Sequence, residues 1–161
     1  MISLNSSQTI DKLPPQNIEA EMATLGAMLI NEAAIAEVME IVDEDFFYKE
    51  EHKLIFSTII SLFNSRKKVD ILTVSEDLNK RKILERIGGA SYLTSLADFV
   101  PTSANVGHYA RIVKEKGVLR LLISSATQIV ALAYKEAEEV STILDKRSEE
   151  HTSELQSRLH L

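Results

Sequence analysis

Leu13-Pro14-Pro15-Gln16-Asn17-Ile18-Glu19-Ala20-Glu21 marks where a polar leader ends and an amphipathic helix begins. Proline is tolerated at a helix start, where its missing N–H would have had no partner. Gln16 or Asn17 can cap the first turn, and Glu19 and Glu21 suit its positive end. Downstream, Ile18, Met22, Leu25 and Leu29 recur at i, i+4, i+7 and i+11, which is one helical face.

The same period continues. Ile35, Val38, Met39 and Val42 give a second helix, and Phe46-Phe47 interrupts it. Leu54, Ile55, Ile59, Leu62 and Phe63 give a third. Asp70 and Thr73 can each cap the next helix, and Thr73-Val74-Ser75-Glu76 fits a capping box. That context argues against a strand over Val69-Asp70-Ile71-Leu72. Gly88-Gly89 breaks the chain as a point needing positive φ, before a short fifth helix carrying Tyr92, Leu93 and Leu96. Pro101-Thr102-Ser103 is a stop-and-restart signal, with Ser103 or Asn105 as the next cap.

Beyond it, Val106, Tyr109, Ala110 and Val113 form one stripe, and Gly117 separates it from a second helical pattern, as in a tight αα-hairpin or a kink. That pattern holds Leu119, Leu121, Leu122, Ile123, Ala126, Ile129, Val130, Leu132 and Ala133. These positions cover more than the roughly 100° stripe of a one-sided helix. The surplus requires burial on two sides, either within the fold or against another chain. The expected class is all-α: a flexible leader (residues 1–12), a compact helical head (13–100), an antiparallel helical hairpin (101–137), then an unstructured or helical tail.

Composition narrows the function. The 161 residues carry a net charge of −6, 45% hydrophobic residues and no cysteine. Disulfides, thiolate catalysis and Cys-ligated zinc are therefore excluded. The acidic balance argues against a large phosphate-gripping surface. The leader has neither the basic nor the apolar region of a secretory signal, and no uninterrupted apolar run approaches the roughly 20 residues of a bilayer span. A cytoplasmic protein without a membrane partner is expected.

No chemistry-bearing constellation emerges. The phosphate loop G-x-x-x-x-G-K-[ST] is absent, so no nucleotide cofactor is expected within these residues. Asp43-Glu44-Asp45 points three carboxylates in different directions and reads as a solvated turn. His52 and His108 lack a partner at ligand spacing, so His52 reads as a packing or capping residue. Arg66-Lys67-Lys68 and Lys80-Arg81-Lys82 each end a helix, where cations suit the dipole, and neither has interleaved aromatics for base stacking. Neither a catalytic nor a metal site is expected.

The opening run resembles the start of the N-terminal domain of bacterial replicative DNA helicases, the DnaB family. Further segments are similar to that family in the same order: Leu25-Gly26-Ala27-Met28-Leu29, Phe47-Tyr48 with His52 and Ile55-Phe56, Val69-Asp70-Ile71-Leu72-Thr73-Val74, Ile87-Gly88-Gly89-Ala90-Ser91-Tyr92-Leu93, Val100-Pro101-Thr102-Ser103-Ala104-Asn105-Val106, and Tyr109-Ala110-Arg111-Ile112-Val113-Lys114-Glu115-Lys116. The resemblance implies hairpins that pair subunits, dimers within a hexamer, and a collar that receives the primase. A helicase loader is a further implied partner. Positions matching the family's primase contacts are Tyr92, Ile123 and Ile129. Leu119 and Leu122, on the broad apolar arc, join them as interface candidates.

ATP and Mg2+ would serve the full-length parent, and DNA would be met only through a RecA-like domain further along the chain. Val140-Ser141-Thr142-Ile143-Leu144-Asp145 resembles the start of the family's linker, placed over residues 138–146. Residues 147–161, opening Arg147-Ser148-Glu149-Glu150-His151-Thr152-Ser153-Glu154-Leu155-Gln156-Ser157, resemble the in-frame translation of a sequencing-library adapter and are set outside the fold. A C-terminal helicase-binding domain of a primase is the competing reading. A helical DNA-binding regulator is a weaker one, given the acidic charge.

Overall fold

The computed structural model describes residues 12–100, 105–135 and 140–159. Among them are seven α-helices, two single 3-10 turns and no strand. The chain divides into two compact units, one reaching Val118 and the other beginning at Leu119.

The first unit is built on α1 (Ile18–Ile30), which packs against α2 (Glu32–Met39), α3 (Glu50–Asn64) and α5 (Gly89–Phe99). Asn17 caps α1, its Oδ1 accepting from the Ala20 N–H at 2.9 Å. Asn31 ends α1 and starts α2: its N–H donates to the Ala27 carbonyl while its Oδ1 accepts from the Ala33 N–H. One residue thus turns the chain with both helix ends satisfied. Gly26 explains the Leu-Gly-Ala motif, since a Cβ there would lie 2.1 Å from the Leu96 carbonyl oxygen. Only glycine lets α1 and α5 approach so closely.

The core is formed by Leu25, Met28, Ile35, Phe47, Ile55, Ile59, Leu78, Leu93 and Leu96, all buried. Asp43-Glu44-Asp45 is the turn expected of it: Asp43 caps a 3-10 turn over Glu44–Phe46 by accepting from the Asp45 N–H. Both basic clusters sit at helix C-termini, after α3 and at the end of α4 (Ile71–Lys80). The capping box of α4 is shifted by one turn from its expected place. Asp70 is the N-cap and Thr73 the third helical residue, each bonding the other's backbone N–H. Asp70 wins because its carboxylate reaches the Thr73 N–H, so the box that starts at Thr73 is not used.

The reversal expected at Gly117 is not there. A single helix, α6 (Val106–Ala133), runs straight through it. Gly117 is buried, and a Cβ would fall 2.4 Å from Phe46 Cδ1 and 2.8 Å from Phe46 Cα. The glycine marks a close helix-to-chain approach rather than a turn. The first half of α6 accordingly belongs to the compact head, with Val106, Ala110 and Val113 buried. The stop signal Pro101-Thr102-Ser103, Ser103 as a cap, and the leader up to residue 11 lie outside the described residues.

In the second unit, α7 (Val140–Leu159) lies beside the end of α6. The Arg147 guanidinium donates to Gln128 Oε1 at 2.7 Å, and Ile129 faces Leu144, Arg147 and His151 around a cavity of about 160 Å³. The paired helices of the tail region are therefore α6 and α7. The linker start and the adapter-like residues 147–159 are helical here.

Two consequences are measurable. In an unconstrained helix, glycine to alanine gains about 1 kcal/mol. At position 117 the added methyl meets Phe46, and overpacking costs about 1–3 kcal/mol, so Gly117→Ala lowers the urea midpoint instead of raising it. Separately, the Thr73 N–H, with Lys68 in support, holds the Asp70 carboxyl below its ordinary value of 3.8. A depressed carboxyl stabilises the fold above its unfolded pKa, and that contribution is lost as pH falls through the folded value. Asp70→Ala should cost about 1 kcal/mol at neutral pH, and the part of that cost that rests on the ionised carboxylate should fade as the pH falls through the folded value, as read from urea melts across pH.

Candidate protein-interaction site and its buried support

The interface candidates fall on two units. Tyr92 sits on α5 in the head. Leu119, Leu122, Ile123 and Ile129 sit on the second half of α6.

At 100° per residue, that half of α6 has three distinct faces. Leu121, Ser125 and Ile129 turn to the side where Gln128 meets α7, and they are buried or half-buried. Arg120, Ser124 and Thr127 fill a polar side. Leu119, Leu122, Ile123, Ala126, Val130 and Ala133 make a third side at i, i+3, i+4, i+7, i+11 and i+14. Its large members are 38%, 41%, 53% and 56% exposed at Leu119, Leu122, Ile123 and Val130. The wide arc is thus resolved: α7 covers one apolar face and leaves the other uncovered. Ile129 lies at the edge of the covered face, against α7, about 20° from Leu122 and about 120° from Ile123 by helical spacing.

By length and composition α6 is also the one helix among the described residues able to cross a membrane, although no span is expected from the sequence. Its apolar positions form stripes rather than a full circumference, with Arg120 and the hydroxyl and amide side chains between them. A stripe suits a helix or groove partner better than lipid.

Tyr92 is supported from within. Its hydroxyl lies 2.8 Å from His52 Nε2, and His52 Nδ1 lies 2.5 Å from Glu21 Oε2. Glu21 and His52 are fully buried. The Glu21 carboxylate also accepts the Tyr48 N–H at 2.6 Å and, more weakly, the Lys49 N–H at 3.4 Å. Lys49 is the N-cap of α3 and offers no side-chain cap of its own. Glu21, reaching over from α1, instead accepts from the two N–H groups just before the helix and faces its positive end. Burial, and then the charges of Glu51 and Glu21, push the Tyr92 hydroxyl above its ordinary pKa of 10.0. Both imidazole nitrogens thus have a partner within hydrogen-bond distance, the Tyr92 hydroxyl at Nε2 and the Glu21 carboxyl at Nδ1.

His52 has a carboxylate partner after all. From its place in the first turn of α1, Glu21 is expected only to suit the helix dipole. Its signal was position: Glu21 stands three residues after Ile18 and four before Leu25, inside the apolar face. With both ring nitrogens occupied and no exposed surface, His52 has no room for a substrate. His108, by contrast, is exposed and stacks edge-on with Tyr109. No cluster of three or more metal-ligating side chains occurs among the described residues.

The head is thus an assembly of small helices carrying Tyr92, and the second half of α6 carries an uncovered apolar stripe. The family described as "DnaB-like helicase N terminal domain" matches residues 13–115. The chain is 43% identical over 150 residues to the replicative DNA helicase DnaB of Geobacillus stearothermophilus, covering 93% of the chain and 33% of that protein. It is also 43% identical over 136 residues to the replicative DNA helicase DnaC of Bacillus subtilis, covering 84% and 30%. The crystal structure of the N-terminal domain of DnaB helicase from Mycobacterium tuberculosis superposes with a TM-score of 0.79 at 38% identity, covering 84% of this chain and 96% of that one. A DnaB-like replicative helicase, described together with its interactions with primase, superposes at 0.67 with 27% identity, covering 88% and 31%. The chain belongs to the DnaB-like helicase N-terminal domain family, which favours the helicase reading over a primase adaptor. It spans about a third of the length of the curated relatives it matches.

Removing the Glu21 carboxylate strips partners from the Tyr48 N–H and His52 at once. Leaving a buried donor unsatisfied costs about 1–3 kcal/mol each, so Glu21→Ala is expected to lose at least about 2 kcal/mol of stability in urea titration. A loss below about 1 kcal/mol, typical of a surface pair, would remove Glu21 from its supporting role.

Proposed function

We propose that this chain is the collar and primase-docking part of a hexameric replicative helicase, which unwinds DNA at the fork. The observation that carries the reading is the uncovered apolar side of α6. Leu119, Leu122, Ile123 and Val130 leave large aliphatic side chains in water beside a face that α7 has already filled. A second copy's helix, laid along this stripe, buries it in dimers within the ring. Self-association is thus the first partner and primase the second, met at Tyr92 and at Ile123 and Ile129. The likeness to a helicase described with its primase interactions supports that partner. A helicase loader is the third.

ATP and Mg2+ serve the parent's motor, and DNA is gripped by that motor rather than by this acidic domain. The expected compartment is the cytoplasm. Residues 147–161, helical over 147–159, are read as no part of the working surface.

Ile123→Asp places a charge on the stripe without touching the core. Loss of a central aliphatic anchor costs about 2 kcal/mol or more, roughly thirtyfold in affinity. Sedimentation of the full chain should show concentration-dependent association for the wild type and a monomer for the variant. A primase pull-down should weaken in parallel. A wild-type chain that stays monomeric at high concentration and retains no primase, while an intact relative does both, would sink the proposal.

A further inference from the structure

The side chains that hold Tyr92 lie entirely below the surface. Its phenol is fixed at both ends. At the outer end, the hydroxyl reaches inward to His52 Nε2, which Glu21 holds from the other side. At the base, Gly88 stands against the ring: a Cβ there would lie 2.9 Å from Tyr92 Cβ and 3.1 Å from Cγ. Gly88 has φ +103°, so the backbone before α5 takes a path that other residues rarely follow. The imidazole and phenol planes are within 6° of parallel, with centroids 6.1 Å apart.

We propose that Glu21 and His52 form a buried positioning pair for Tyr92, holding its half-exposed ring as a rigid contact for primase. The inference rests on the reading of Tyr92 as a primase contact and adds how that contact is built. A surface tyrosine ordinarily uses its hydroxyl on the partner. Here the hydroxyl is committed inward, so the partner meets the ring, and ring placement carries the affinity. A rigid aromatic anchor loses little conformational freedom on binding, which is the gain that such an arrangement supplies. The support spans three helices: Glu21 on α1, His52 on α3 and Tyr92 on α5. Disturbing it in the core therefore reaches a surface that neither Glu21 nor His52 touches.

The test uses the full chain with primase and four variants: Tyr92→Phe, Tyr92→Ala, Glu21→Gln and His52→Leu. Tyr92→Phe keeps the contact ring and removes only the tether, so its fold is the least at risk. It is expected to weaken primase binding about tenfold, the worth of one hydrogen bond. Tyr92→Ala should weaken binding further, and Glu21→Gln should fall between the wild type and Tyr92→Ala. The second readout is proton NMR. A downfield imidazole N–H resonance is expected in the wild type, shifted by Tyr92→Phe and lost in Glu21→Gln. In His52→Leu the Tyr92 ring resonances should collapse to those of a mobile ring.

Wild-type affinity in both Tyr92→Phe and a folded Glu21→Gln overturns the positioning pair while leaving Tyr92 as a contact. Wild-type affinity in Tyr92→Ala overturns the primase reading at this residue instead. In that case the NMR arm still decides whether the pair holds the ring, and an unchanged Tyr92 ring in His52→Leu refutes the hold itself.

Discussion

A carboxylate with no exposed surface is tolerable only when its charge is fully answered, because transferring it unpaired from water costs several kcal/mol. Glu21 meets that condition by gathering the Tyr48 N–H and His52 Nδ1 within 2.6 Å. Meeting it constrains the fold. The start of α3 must lie over α1, His52 must face inward, and α5 must come close enough for Tyr92 to satisfy the second imidazole nitrogen. Close packing, as at Gly26 against Leu96, already brings α1 and α5 together. The Glu21–His52–Tyr92 chain adds direction, and with it a register between α1, α3 and α5.

The helices of the head were readable from apolar spacing, since Leu25, Ile35, Ile55, Ile59, Leu93 and Leu96 all took the buried places their period required. Local chemistry was readable too: Asn17 as a cap, the positive φ at Gly88, the turn at Asp43. What failed depended on a partner distant in sequence. Gly117 looks like a break because glycine is a poor helix former, and nothing local reveals that Phe46 fills the space a side chain would need. His52 looked solitary because its carboxylate lies 31 residues away. Thr73 and Asp70 were both plausible caps, and only the path of the chain before α4 selects between them.

The interface candidates divide along the same line. Leu119, Leu122 and Ile123 were legible as surplus apolar surface, because a helix with more than one greasy stripe needs more than one neighbour. Which stripe α7 would take was not legible, as α7 is mostly polar and its docking rests on a few contacts such as Gln128 with Arg147. Ile129 therefore parted from Ile123 only in the folded chain. Their spacing of six residues puts them about 120° apart on a helix of 3.6 residues per turn. A single partner surface touching both must wrap the helix edge, or else two partners divide them.

Glu, His and Tyr together are a familiar set for acid–base chemistry, and their geometry here sets what they can reach. A general base needs a nitrogen directed at a substrate proton, within about 3 Å of a place the substrate can occupy. His52 has both nitrogens committed and no exposed surface, and the Tyr92 hydroxyl that closes the chain toward solvent is held protonated by its surroundings. The proton network is closed on itself. What reaches the surface is the half-buried Tyr92, whose hydroxyl is tied inward to His52.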